Sequence, residues 1–449
     1  MRLLTALFLL AALAFTPLGA RAGGEAATLF ANVTLVDGDG SAPRPGMAIL
    51  VRGEKIEAVG PAGSLPAEGA KVIDMKGAFV TPGLINTHVH LATPPNRRYA
   101  EAMLRRDLYG GVTADRDMAD DLRQLADLAR GTRVGEIPGP DIYYAALFAG
   151  PEFFEDPRTQ AVTAGETPGK TPWMRAIDAD SDLRQAVAEA RGTGATAIKI
   201  YADLPAERVV AITAEAHRQG MQVWAHAAVF PASPAEVLAA GVDAVSHVCM
   251  LAYQVSDRMP GAYHRRPAVQ DEKLQAPDDP VMADLFATMK AKGQVLDATL
   301  WVYEELSREA AANPAGPKPY CTAPVAARLT NQAWRAGVTI SAGTDGFSPG
   351  TSPWPALQDE MGYLQDSAGL PPLEVLKAAT LNGARALGKQ DQMGTITPGK
   401  LANLVFLKAD PSRSVQAFRT VTLTVKRGGL FWRRDYRPVT KAETKGAEE

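Results

Sequence analysis

At 449 residues the chain has room for one large barrel and a smaller domain. Its 46% hydrophobic and 22% charged residues place it among ordinary globular enzymes and exclude a disordered or fibrous chain. A formal charge of −3, with both signs interspersed, leaves no basic face for a polyanion such as nucleic acid.

The N-terminal segment MRLLTALFLLAALAFTPLGARA joins a basic Arg2 to an apolar run, Leu3 to Phe15, and to small residues at Ala20 and Ala22. That is the pattern of a secretory signal over residues 1–22 with cleavage after Ala22. The apolar run is too short for a bilayer span and no cysteine follows it, so neither a stable membrane anchor nor a lipid anchor is expected. Cleavage removes Arg2 and Arg21 and takes the charge from −3 to −5, and the mature protein is expected in the periplasm or secreted. An oxidising compartment permits a bridge between the two cysteines, but two thiols make no framework. Cys249 is instead expected to pack beside the site.

Residues 23–80 read as short strands and turns (ANVTLVDGDG, MAILVRGEKIEAVG, KVIDMKGAFV), an antiparallel texture that residues 391–436 resume. The two stretches are expected to form one small β-sandwich. Residues 437–449 are expected to be a disordered tail. Between them, over 81–390, eight apolar segments alternate with helical ones. They run over Leu84–His90, Val112–Asp117, Ile142–Leu147, Ala195–Tyr201, Gln222–His226, Ala244–His247, Gln294–Thr299 and Val338–Gly343. Eight βα units predict an α/β fold, a (β/α)8 TIM barrel. Two long loops, 150–171 after the third strand and 251–280 after the sixth, fall on the face where such barrels react. Each is read either as a lid or specificity element or as surface decoration.

Chemistry-bearing residues sit at strand ends. His88 and His90 lie two apart on one strand, so both imidazoles share a face and suit zinc or a similar divalent ion. His226 and His247 each close a strand and supply the further ligands that a metal needs. Asp345, in GTD after the eighth strand, fits both metal binding and acceptance of a proton from water, against the alternative of an ordinary turn aspartate. Lys199 in AIKIY is placed inward by alternation. A buried lysine tends to lose its proton, and the neutral amine takes up carbon dioxide to give an anionic oxygen ligand; a salt-bridged or outward lysine stays open on spacing alone. Tyr201, Arg116 and Tyr253, near strand ends, are candidate substrate contacts. His217, on a helix, is read as an ordinary exposed or boundary side chain, and His264, in GAYHRRP, as a solvated loop residue, with reach to substrate as the alternative.

The ordered motifs FVTPGLINTHVH, GVTADRDM, IKIYAD, AHA, SHV and GTD, with the tail LKAATLNGARALG and GTITPGKLANLVFL, resemble the amidohydrolase superfamily. The likeness is to its imidazolonepropionase-like and Xaa-Pro or Xaa-Arg dipeptidase branch, and it runs through nearly all the mature chain. It implies a barrel with a flanking β-sandwich, His88, His90, Lys199, His226, His247 and Asp345 at the metal and catalytic positions, and a carboxylated Lys199 bridging two zinc-like ions. Two departures stand out. FAGPEFFEDPR after the third strand lacks the substrate-binding histidine of the dipeptidases, and Asn403 replaces the usual aspartate. The expected reaction is hydrolysis of an amide or peptide-like C–N bond in a small molecule, with one or two divalent ions. Oligomeric state is open, a homo-oligomer included. Rival readings are a mononuclear cyclic-amide hydrolase or deaminase, a lactone or organophosphate ester hydrolase, and a non-catalytic exported metal- or solute-binding protein.

Overall fold

The computed structural model describes residues 27–445. The expected signal segment and its cleavage site lie outside the described residues. Eight parallel strands form a barrel in strict chain order: Leu84–Val89, Val112–Asp117, Asp141–Ala149, Ala197–Ile200, Gln222–His226, Ala244–Ser246, Val295–Asp297 and Thr339–Ser341. Most of their residues are buried, as expected for strands covered by helices outside and by side chains within. The ring closes through backbone bonds, from Thr87 N–H to Ala342 O and from Asp345 N–H to His88 O, each 2.9 Å.

The outer helices start where local chemistry favours it. Asn96, Asp121, Asp182 and Asp279 each accept a first-turn N–H, and Ser233 with Glu236 makes a reciprocal capping pair. Each capping aspartate or asparagine thus satisfies a donor that the helix itself leaves open.

The two ends of the chain build one further eight-stranded sheet. Phe79–Pro82 joins them, pairing antiparallel with Leu404–Leu407. The sheet is mixed rather than wholly antiparallel, because Ala27–Leu35 pairs in parallel with both Ala70–Asp74 and Phe79–Pro82. Its inner face is a compact apolar cluster in which the Phe30 and Phe406 rings lie 4.9 Å apart. No helix among the described residues is long and apolar enough to cross a membrane.

Two expectations are corrected here. Residues 437–445 are ordered: Thr440 and Glu443 cap the helix Lys441–Thr444, and Glu443 pairs with Arg105 at 3.0 Å on the helix Arg97–Tyr109. Polar composition hid this docking, which depends on one specific ion pair and on the buried Thr444. The second correction is a disulfide between Cys249 and Cys321, with Cα atoms 6.2 Å apart. The long loop after the sixth strand returns against the approach to the helix Ala323–Arg335, where Val269 N–H donates to Tyr320 O. That return makes neighbours of thiols separated by 72 positions.

Candidate metal centre and active site

Backbone geometry concentrates at the strand ends. His247, Thr299 and Asp345 all hold positive φ (71°, 54° and 57°), a conformation that costs non-glycine residues about 1–3 kcal/mol each. Such strain persists only where the surroundings over-determine it. Gly343 shows how tight those surroundings are: a Cβ there would meet Asp297 Oδ1 at 2.2 Å and His88 N at 2.9 Å.

On this framework the side chains converge. Asp345 Oδ1 lies 3.3 Å from Nε2 of both His88 and His90. The His247 ring centroid is 4.9 Å from those of His88 and His226. One donor atom from each of His88, His247 and Asp345 falls within 4.8 Å of the others. These residues, with Lys199 and Tyr201, line one cavity of about 460 Å³.

Carboxylates behind the histidines fix their orientation. His88 Nδ1 lies 2.8 Å from Asp297 Oδ2, and His90 Nδ1 lies 2.8 Å from Asp120 Oδ1. Holding Nδ1 this way fixes the ring and directs Nε2 at Asp345, the usual arrangement behind a metal-binding imidazole. Thr299 Oγ1 stands 3.0 Å from His247 Nδ1 in the same manner. A second group, His90 with Asp117 and Asp120, also has clustered donor atoms, but all of its oxygens except Asp117 Oδ1 are committed. Asp117 accepts Leu91 N–H, and Asp120 accepts Ala92 N–H and the Thr93 hydroxyl besides His90. That group is the support of His90.

Protonation follows from burial. Burial pushes His88, His226 and His247 below the ordinary histidine range, His247 to about 3, which leaves neutral rings with lone pairs to offer. Burial opposes ionisation of Asp345, but His88, His90 and His247 outweigh it and keep the carboxyl well below its usual range. Lys199 is fully buried, and burial first, then the Arg116 guanidinium, pulls its ammonium down to about 7 against the opposing pull of Asp297 and Asp345.

Lys199 Nζ and His226 Nδ1 are among the buried polar atoms of the described residues that have no hydrogen-bond partner. Buried nitrogens left bare in a ring of histidines fit a bound divalent ion, and the bare Lys199 amine also fits carboxylation.

Of the residues marked in the sequence, His88, His90, Lys199, Tyr201, His226, His247 and Asp345 share the cavity. Arg116 and Tyr253 do not. Arg116, on the second strand, points into the barrel, is wholly buried, and bonds Asp297 at 2.9 Å and the Thr87 carbonyl. Tyr253 is buried against Phe230 and donates its hydroxyl to Pro267 O at 2.6 Å, so it holds the long loop instead of facing substrate. His217 pairs with Asp243, and His264 stacks on Phe153 and lies 3.5 Å from Asp156. Both long loops line the cavity, with Phe153, Arg158, Thr159 and Val162 from one and Tyr263 and Arg266 from the other. Sequence reading passed over Asp297 and Asp120. Asp297 carried a signal, since it ends an apolar strand as each proposed ligand does; Asp120, in a run of polar loop residues, carried none.

The fold and cavity define a metal-dependent hydrolase built on a TIM barrel with a β domain from both chain ends. The family model for the amidohydrolase family matches residues 79–430, and the chain belongs to that family and is a hydrolase. An imidazolonepropionase from Cereibacter sphaeroides is 29% identical over 396 residues, covering 84% of this chain and 91% of its own. An ochratoxinase from Aspergillus niger is 25% identical over 450 residues, covering 88% and 85%. Among solved structures, a Xaa-Pro dipeptidase with bound methionine superposes with a TM-score of 0.71 over 91% of this chain and all of its own, at 20% identity, a likeness of fold.

Proposed function

We propose that this chain hydrolyses an amide or peptide-like C–N bond of a small substrate, using zinc or a similar divalent ion. The observation that carries this reading is the placement of the Asp345 carboxylate 3.3 Å from the free edges of both His88 and His90. His88, His90, His226, His247 and Asp345 would hold the ion or ions, and carboxylated Lys199 would bridge a pair. The bare, buried Lys199 amine, whose ammonium is pulled down to about 7, supports that bridge. An ion in this position supplies acidification of water and polarisation of the scissile carbonyl.

The chain's own residues then perform the proton transfers. Asp345, ionised throughout the neutral range, accepts a proton from the attacking water at a carboxylate oxygen and returns it to the leaving nitrogen. One of His226 and His247, the latter with Nδ1 3.0 Å from Thr299 Oγ1, would stand beside the oxygen that becomes negative. Asp297 and Asp120 keep His88 and His90 in the required tautomer. Imidazolonepropionase and ochratoxinase among the relatives support C–N hydrolysis as the reaction class.

We further propose export of the mature chain, supported by the leader-like segment over 1–22 and by the Cys249–Cys321 bridge, which persists in an oxidising compartment. The central test is Asp345→Asn in zinc-loaded protein, assayed on dipeptides, N-acyl amino acids and cyclic amides. Retained metal with a rate loss of about 10²–10⁴-fold is expected. Wild-type protein that holds metal and hydrolyses no amide, ester or lactone would overturn the enzymatic reading.

A further inference from the structure

The cavity has two kinds of wall. Met118, Leu147, Val162 and Met174 make an apolar sleeve beside the histidines. Two guanidinium groups, both from the long loops, also line it. Arg158 is already matched, because it grips Asp156 through both Nε and Nη2.

Arg266 is different. Its guanidinium lies 3.8 Å over the Tyr263 ring and 4.9 Å over Tyr320, and Nη1 donates to the Tyr263 carbonyl at 2.7 Å. Its Nε is buried without a hydrogen-bond partner, and no carboxylate pairs with it among the described residues. A half-buried cation of this kind has given up water without gaining a counter-charge, so its complement is an anion inside the cavity. The mount is firm. Tyr263 N–H donates to Asp203 at 2.7 Å, and the adjacent Arg265 pairs with Glu152 on the opposite loop.

Position matters as much as charge. The Tyr263 ring lies 5.6 Å from that of His226 in a nearly parallel stack. Arg266 therefore sits one aromatic ring beyond the imidazoles, a reach of one to two residues at about 3.5 Å each.

We propose that Arg266 receives a carboxylate of the substrate while the apolar sleeve receives a hydrocarbon side group. The enzyme then selects N-acyl or N-aminoacyl amino acids with apolar side chains over neutral lactams and ureas. This selection rests on the amide hydrolysis proposed above; the anion subsite itself does not.

The test uses the zinc-loaded full chain. Calorimetry compares L-leucine with L-leucinol, which share the amine and side chain and differ in the carboxylate. Leucine should bind at least about 10-fold more tightly, and Arg266→Met should bring it to the leucinol level, while Arg266→Lys keeps part of the preference. Kinetics then compare N-acetyl-L-leucine with N-acetyl-L-leucinamide. For Arg266→Met, kcat/KM on the acid should fall about 10- to 100-fold, mostly through KM, and by a clearly larger factor than on the amide. Equal binding of leucine and leucinol by wild type, or an undiminished preference in Arg266→Met, overturns the assignment. A carboxylate preference in binding without hydrolysis of any amide overturns the amide reading and leaves the subsite standing. If Arg266→Met fails to fold, the wild-type comparison and Arg266→Lys still decide.

Discussion

Replacing Asp297 with asparagine separates the two tasks that this carboxylate performs. It accepts from His88 Nδ1 at 2.8 Å, Arg116 Nη2 at 2.9 Å, Thr87 Oγ1 at 3.1 Å and Ser246 Oγ at 3.2 Å, wholly out of solvent. His88, Arg116 and Ser246 all bond Oδ2 and Thr87 bonds Oδ1, so an amide of the same size keeps its oxygen toward the first three and turns its NH2 donor toward Thr87 Oγ1. Arg116 is then a buried cation without its counter-charge, and breaking such a pair costs about 3–5 kcal/mol. Asp120→Asn is the matched control. It removes the same kind of support from His90 but touches no arginine, so its cost should stay near 1–3 kcal/mol. Both should weaken metal binding about 10–100-fold, because each loosens the hold on an imidazole. Equilibrium denaturation of the metal-free proteins, with chelator competition for zinc affinity, reads the two effects apart. If Asp297→Asn costs no more stability than Asp120→Asn and binds zinc as wild type does, the reasoning is refuted.

Other outcomes follow from the same geometry. Gly343→Ala should cost about 1–3 kcal/mol and lower zinc content, since the added Cβ meets Asp297 and His88; a fully loaded, equally stable variant would contradict it. Carboxylation of the metal-free protein in bicarbonate should be half-maximal near pH 7 and be lost in Lys199→Ala, because the neutral amine predominates above about 7. The sign for stability agrees: between about 7 and the ordinary lysine range the unfolded chain holds a proton that the native chain has released, so this group's contribution rises with pH there. Carboxylation that begins only near pH 10 would contradict it. Reducing the Cys249–Cys321 bridge, which closes a 72-residue separation, should lower stability by about 2–4 kcal/mol, read as a shifted denaturation midpoint. Chelation should lower the melting temperature in proportion to about 2.7 kcal/mol at 100 times Kd, since the ligand set is assembled only in the folded barrel.

What could be read from sequence was what local pattern dictates. Eight apolar runs each separated by helix gave the barrel, and histidines at the ends of AVS and QVWAH stood out because charged or polar closure of such a run is unusual. Strand-end position alone misled for Arg116: one step of alternation turns it inward beneath Asp297 instead of toward the mouth. Tyr253 and Cys249 misled for a different reason. Their partners, Pro267 O and Cys321, are set by the path of a long loop that no periodicity constrains. The same holds for Arg266, whose cage draws Tyr263 and Tyr320 from segments far apart in the chain.

His88 has a second attachment, through its backbone. Its imidazole faces Asp345, while its carbonyl accepts the Asp345 amide that helps close the first strand against the eighth. The ring of strands is thus fastened beside the candidate metal centre, and the last stitch and the proposed cation site share a residue. Loss of the ion should therefore register as faster solvent exchange at the amide protons of Thr87 and Asp345, making those two protons a clock for the integrity of the seam.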